Sequence, residues 1–111
     1  MASRKIALVT GGNSGIGYET VKALLQSEKP YHVLLGSRSV DKGKLALETL
    51  RKECPESTNT VEMIQVDLTS DESIEKAFEQ VKSSSGRVDA LINNAGMFSK
   101  SRLLLISFFI D

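Results

Sequence analysis

Thr10-Gly11-Gly12-Asn13-Ser14-Gly15-Ile16-Gly17 lies between a short apolar run, Ile6-Ala7-Leu8-Val9, and a segment whose apolar residues recur every three or four positions. The run reads as a strand covered on both faces of a parallel sheet, with no solvent side to alternate with. The periodic segment carries Ile16, Thr20, Val21 and Leu24 on one stripe and reads as an amphipathic helix, ending near Lys29-Pro30 because proline cannot continue it. Strand, glycine turn and helix in that order suit a dinucleotide. One glycine can take the positive φ of a tight turn, a missing Cβ lets a pyrophosphate approach the backbone, and the last glycine lets helix and strand pack closely. The helix N-terminus adds free amide donors and the positive end of its dipole. Glycine-rich turns also join strands to helices on purely geometric grounds, so the flanking chain has to decide.

The flanks repeat the alternation. A second strand is expected at His32 to Leu35. Ser39 can cap a helix from Val40 to about Glu53, with Leu47 and Leu50 on its buried stripe and Pro55 beyond its end. Val61 to Val66 alternates apolar and polar as a third strand would. Thr69 and Glu72 have the spacing of a capping box ahead of Ile74, Ala77, Phe78 and Val81, and this helix stops at Ser83-Ser84-Ser85-Gly86. A fourth strand, Val88 to Asn93, leads into Asn94-Ala95-Gly96. The pattern β-α-β-α-β-α-β predicts an α/β fold: a partial Rossmann-type parallel sheet of about four strands, in the order 3-2-1-4, with helices on both faces.

The glycine turn resembles the TGxxxGIG signature of short-chain dehydrogenases/reductases, with Gly11, Gly15 and Gly17 on its three glycines. Under that resemblance the whole turn, including Asn13, Ser14 and Ile16, is expected to line the cofactor. Gly36-Ser37-Arg38-Ser39 follows the second strand, where the adenosine ribose should lie. An acid there would accept from both ribose hydroxyls and repel a 2′-phosphate. The Ser37 hydroxyl and the Arg38 guanidinium can instead grip one, which points to NADP(H); the competing reading is an arginine merely solvated at a strand end. Asp41, the nearest acid, fits the helix N-terminus better.

Val66-Asp67-Leu68-Thr69 resembles the family's adenine-side pair, which makes Asp67 and Leu68 adenine candidates; a cap or turn role for the aspartate is the alternative. Asp89-Ala90-Leu91-Ile92-Asn93-Asn94-Ala95-Gly96 resembles the NNAG segment at the end of the family's fourth strand. The resemblance makes Asn93 a structural support between strands and puts Asn94, Ala95 and Gly96 along the cofactor's inner ribose. A generic turn explains Asn-Ala-Gly nearly as well in isolation. Four matches in order, each after a strand, make coincidence a poor account.

Composition narrows the rest. The 111 residues allow one domain at most, and 14 basic side chains balance 14 acidic ones, so nothing suggests a nucleic-acid partner. The single Cys54 can form no internal disulfide and has no second cysteine to share a metal, so no metal site is expected. His32, the only histidine, sits inside a strand, away from the carboxyl ends where ligands bind. Glu48, Arg51 and Lys52 read as a solvated helix face. The N-terminal residues run straight into the first strand without a secretory core, and a cytoplasmic protein with no membrane span is expected.

The resemblance covers Lys5 to about Phe98, roughly the first two-fifths of a family member. Two regions are therefore expected: an incomplete NADP-binding domain over residues 1–98 and a divergent apolar tail over 99–111. The family's reaction moves a hydride between nicotinamide and a carbonyl or alcohol, with a serine and a Tyr-x-x-x-Lys pair handling the substrate oxygen and its proton. Tyr18 and Lys22 have that spacing but lie in the first helix, so no catalytic residue is assigned. The expectation is a truncated, inactive part of an NADP(H)-dependent oxidoreductase. The alternative is a non-catalytic nucleotide-binding or interaction module that docks through the apolar run Leu103 to Ile110. Self-association through that run and a bare fourth-strand edge is also expected.

Overall fold

The strand Lys5–Thr10 (β1) is buried from Ile6 onward, with Val9 at 0% exposure. A computed structural model describes residues 4–94 of the chain. Beyond β1 it contains α1 (Gly15–Leu25), β2 (Tyr31–Ser37), α2 (Val40–Glu53), β3 (Thr60–Gln65), α3 (Asp71–Ser84) and β4 (Ala90–Asn93). All pairings are parallel and the sheet order is β3-β2-β1-β4. The α/β sheet anticipated from the sequence is therefore present in the anticipated order.

Alternation along the strands divides the core into two layers. Ile6, Leu8, Leu34, Ile64 and Val66 pack with Ile74, Ala77, Phe78 and Val81 of α3 on one face. Val9, Val33 and Leu35 pack with Val21 and Leu25 of α1 and Ala46 and Leu50 of α2 on the other. Each fully buried large aliphatic side chain contributes about 1.5–3 kcal/mol, so a β1 covered on both faces anchors the whole arrangement. None of the helices among the described residues is long and apolar enough to cross a membrane.

Several boundaries differ from those the sequence suggested. α1 ends at Leu25, several residues before Pro30. The cause is Asn59, on the loop before β3, whose Nδ2 lies 2.9–3.1 Å from the carbonyls of Leu24, Ser27 and Lys29. Its Oδ1 accepts from the Tyr31 amide at 3.0 Å. The expected α1 stripe is also rotated. Ile16 is 78% exposed, and the buried positions are Gly17, Val21 and Leu25. At α3 the cap is Ser70, accepting from the Ser73 amide at 3.2 Å, rather than Thr69 paired with Glu72. Thr69 is held elsewhere, by Asp67.

β4 begins at Ala90, two residues later than expected, because Asp89 interrupts the ladder with its side chain. Its Oδ2 accepts from the Ile6 amide at 2.7 Å, while the Asp89 amide donates to the Ile6 carbonyl at 2.8 Å. Arg87 Nε donates to both carboxylate oxygens at 2.9 and 3.1 Å, and its Nη2 donates to the Arg4 carbonyl at 3.0 Å. The Ile6 amide first, then Arg87, hold this carboxyl below the usual aspartate range against the opposing effect of burial. A depressed folded-state pKa contributes stability that is present above the unfolded value, about 3.9, and is lost as pH falls through the folded one. Asp89→Asn should therefore destabilise the fold by about 1–2 kcal/mol at neutral pH. In urea unfolding, that gap should close as the pH drops below about 4; a gap that is constant with pH would exclude the ionised pair.

Candidate dinucleotide site

Because the strands are parallel, Thr10, Ser37, Gln65 and Asn93 end on the same edge of the sheet, and the glycine turn crosses that edge. Gly11 and Gly15 have φ of 63° and 59°, in the left-handed region that a Cβ strains. Gly17 serves close approach instead. A Cβ there would lie 2.0 Å from the Gly11 carbonyl oxygen, so α1 rests directly on the turn. The Gly12 amide donates to the Gly36 carbonyl at 2.9 Å and ties the turn to the end of β2.

The start of α1 differs from the other two helices. Ser39 and Ser70 cap α2 and α3 through their side chains, and both helices carry acids in the first turn. Ser14 makes no side-chain capping bond to α1, and no acid lies in that first turn. Amide donors and the dipole's positive end are thus presented at the glycine turn.

A cleft of about 250 Å³ lies beside the turn, lined by Gly11, Asn13, Arg38, Val66, Asp67, Leu68 and Thr69. Three separate motifs meet there. Ser14 lies just outside, in a neighbouring groove that Asn13 also lines. Arg38 is exposed, whereas Ser37 is 1% exposed and its hydroxyl donates to the Ser39 carbonyl at 2.8 Å. Asp67 Oδ1 accepts from both the Thr69 amide at 2.9 Å and the Thr69 hydroxyl at 2.7 Å, a local turn of the kind aspartate favours. Leu68 is half-buried against the α3-side core.

At the β4 end, Thr10 is the residue to which the sequence reading gave no role. Its hydroxyl donates to Asn93 Oδ1 at 2.7 Å and accepts from the Asn94 amide at 3.1 Å. A hydroxyl at the end of a buried strand must find such partners, which is the signal that could have revealed it. Ala95, Gly96 and the apolar tail lie outside the described residues.

Tyr18 and Lys22 converge on one carboxylate. The Tyr18 hydroxyl donates to Glu53, and Lys22 Nζ lies 3.2 Å from the other Glu53 oxygen. Burial and then the bond to Glu53 push the phenol's pKa up, opposite to what a proton-relaying tyrosine requires. His32 is held by Thr60 at 2.6 Å and Glu62 at 3.3 Å on the strand surface. Among the described residues no cluster of His, Cys, Asp or Glu could hold a metal.

A parallel sheet whose first strand ends in a glycine turn under a helix N-terminus, with a cleft beside it, defines a Rossmann-type nucleotide fold. The chain belongs to the short chain dehydrogenase family, whose model matches residues 5–107. It is 48% identical over 97 residues to the short-chain dehydrogenase/reductase tropE of Talaromyces stipitatus, covering 87% of this chain and 36% of that protein. It is 41% identical over 95 residues to the (+)-neomenthol dehydrogenase of Capsicum annuum, covering 86% and 30%. The menthone neomenthol reductase structure from Mentha piperita superposes with a TM-score of 0.78 at 36% identity, covering 86% of this chain and 33% of that one. The chain thus spans about a third of the length of these relatives.

Since the atom that a Cβ at position 17 meets is backbone, Gly17→Ala should destabilise the fold by about 2–3 kcal/mol, read as a lower urea midpoint with an unchanged slope. An unshifted midpoint would show that the α1–turn contact gives way without cost.

Proposed function

We propose that these residues form the NADP(H)-binding part of an oxidoreductase that moves a hydride between nicotinamide and a carbonyl or alcohol. The observation that carries the reading is the cleft that gathers Gly11, Asn13, Arg38, Asp67 and Leu68 from three motifs. The residues fit the cofactor's parts. The turn from Gly11 to Gly17 and the α1 amides suit a pyrophosphate, because only a glycine at 17 admits the backbone packing seen there. Arg38 suits a 2′-phosphate, and the nearest acid, Asp41, belongs to the first turn of α2. Asp67 and Leu68 suit the adenine, and Asn94, with Ala95 and Gly96, the inner ribose. Bound, the cofactor would supply the hydride; this chain's residues hold and orient it.

Relatives support the choice of nucleotide. A structure of L-sorbose reductase from Gluconobacter frateurii, described as complexed with NADPH and L-sorbose, superposes with a TM-score of 0.72 at 33% identity, covering 87% of this chain and 35% of that one. Residues 1–111 are proposed to bind cofactor without turning over substrate. Their one Tyr-x-x-x-Lys pair, Tyr18 and Lys22, is bound to Glu53, where the phenol holds its proton too tightly to relay it.

In fluorescence titrations NADPH should bind more tightly than NADH. Arg38→Asp should weaken NADPH about tenfold or more while leaving NADH nearly unchanged, since a two-pronged charged contact is replaced by repulsion. Equal affinity for the two nucleotides, or an unaltered NADPH affinity in the variant, would overturn the assignment. The purified 111-residue chain should reduce no carbonyl substrate, and measurable turnover would contradict the non-catalytic reading.

A further inference from the structure

Tyr18 directly follows Gly17 and belongs to the turn of α1 that faces the proposed pyrophosphate. Its amide donates to the Ser14 carbonyl at 3.3 Å and closes that turn, and its side chain lines one groove with Asn13 and Ser14. The ring packs against the core layer between α1 and α2, which fixes where its hydroxyl emerges. It emerges at Glu53, the last residue of α2. Four residues further along the same face of α1, Lys22 Nζ lies 3.2 Å from the other oxygen of that carboxylate.

Glu53 stands on a fixed base. Ser39 caps the start of α2, and a Cβ on Gly43 would lie 2.5 Å from Met63 Cε, so the first turn packs straight onto the sheet. At the far end the Cys54 amide donates to the Leu50 carbonyl at 2.7 Å. The start of α1 has no comparable seat. Ser14 makes no side-chain capping bond, and Gly17 meets the Gly11 carbonyl without a side chain. That contact sets how closely the helix approaches the turn. The roll of the helix about its own axis is left to Val21 and Leu25 in the core and to the two bonds at Glu53. Apolar burial is non-directional, whereas a hydrogen bond weakens steeply off its line, so the carboxylate is the sharper constraint.

Backbone atoms of a helix lie about 2.3 Å from its axis, so a roll of about 10° displaces each amide by about 0.4 Å. A preorganised site tolerates roughly 0.5 Å. A partly exposed ion pair such as Lys22–Glu53 adds little to stability, but a pyrophosphate needs several amides aligned at once. We infer that Glu53 is a positioning residue for the dinucleotide: by holding Tyr18 and Lys22 it fixes the roll of α1, and with it the aim of the amides offered to the pyrophosphate. The inference rests on the dinucleotide reading and adds to it a residue remote from the cleft.

Fluorescence titration of the purified chain with NADPH and with NADH tests it, alongside urea unfolding of each variant. Glu53→Ala should weaken both nucleotides by the same factor, about threefold to fivefold, because the pyrophosphate is common to them. Tyr18→Phe should weaken both about twofold, and the double variant should bind no more weakly than Glu53→Ala, since the two residues act through one bond. Glu53→Gln, whose amide oxygen still accepts from Tyr18, should bind about twofold more tightly than Glu53→Ala. A variant about 95% folded loses only about a twentieth of its apparent affinity to unfolding, so a purely structural role does not produce these shifts. Tyr18→Phe keeps the ring in the core layer and carries the test if Glu53→Ala does not fold. If the wild type binds both nucleotides and the folded variants bind them equally well, the clasp only fastens two helices, and the dinucleotide reading stands. A loss confined to NADPH, or additive losses in the double variant, would also overturn the role of Glu53. If the wild type binds neither nucleotide, the dinucleotide reading fails and the role of Glu53 with it.

Discussion

The contact between Gly17 and the Gly11 carbonyl sets the geometry from which the rest of the structure follows. With no side chain between them, α1 begins directly on the end of β1. This closeness aims the helix amides across the carboxyl edge of the sheet. It also sets the depth at which Val21 and Leu25 reach the α1–α2 core layer. β1 lies between β2 and β4, so the position of this one turn is passed to both neighbours: through Gly12 to Gly36 on one side, and through Thr10 to Asn93 and Asn94 on the other.

Much of the fold was legible because its signals are local. Apolar runs four to six residues long, Ser39 ahead of a helical stripe, and a serine-glycine stop after α3 each act within a few residues of their own position. The readings that needed adjustment involve partners far away in the chain. α1 stops early because of Asn59, and β4 starts late because Asp89 reaches Ile6, more than eighty residues earlier. Ile16 fits the helical period yet is exposed, because Gly17 is what faces the sheet. Within the site, residue types and their order were readable, while hydroxyl orientation was not. Nothing in Gly36-Ser37-Arg38 indicates that the serine turns inward to its own chain.

Tyr18 and Lys22 show how little spacing alone means for chemistry. Four residues apart on a helix, any tyrosine and lysine share a face. The carboxylate they meet decides their behaviour. Glu53 accepts from both and fastens α1 to the last turn of α2, and a tyrosine in that position is a clasp. The same helix thus presents bare amides at its N-terminus and, from Tyr18 in its first turn to Lys22 in its last, a side-chain lock to α2 that fixes its direction.

Asn59 is the most demanding position outside the site. Only an amide of that length both accepts from Tyr31 and donates to the carbonyls that close α1; aspartate lacks the donors, and glutamine overshoots. It also makes the corner between α1 and β2 depend on chain that lies well beyond it. The Leu24 carbonyl already accepts from the Ser27 amide within the corner, but the side-chain donor shared by the Leu24, Ser27 and Lys29 carbonyls comes from residue 59. The first β-α-β unit is therefore fastened by a residue from outside it, delivered on the approach to the third strand.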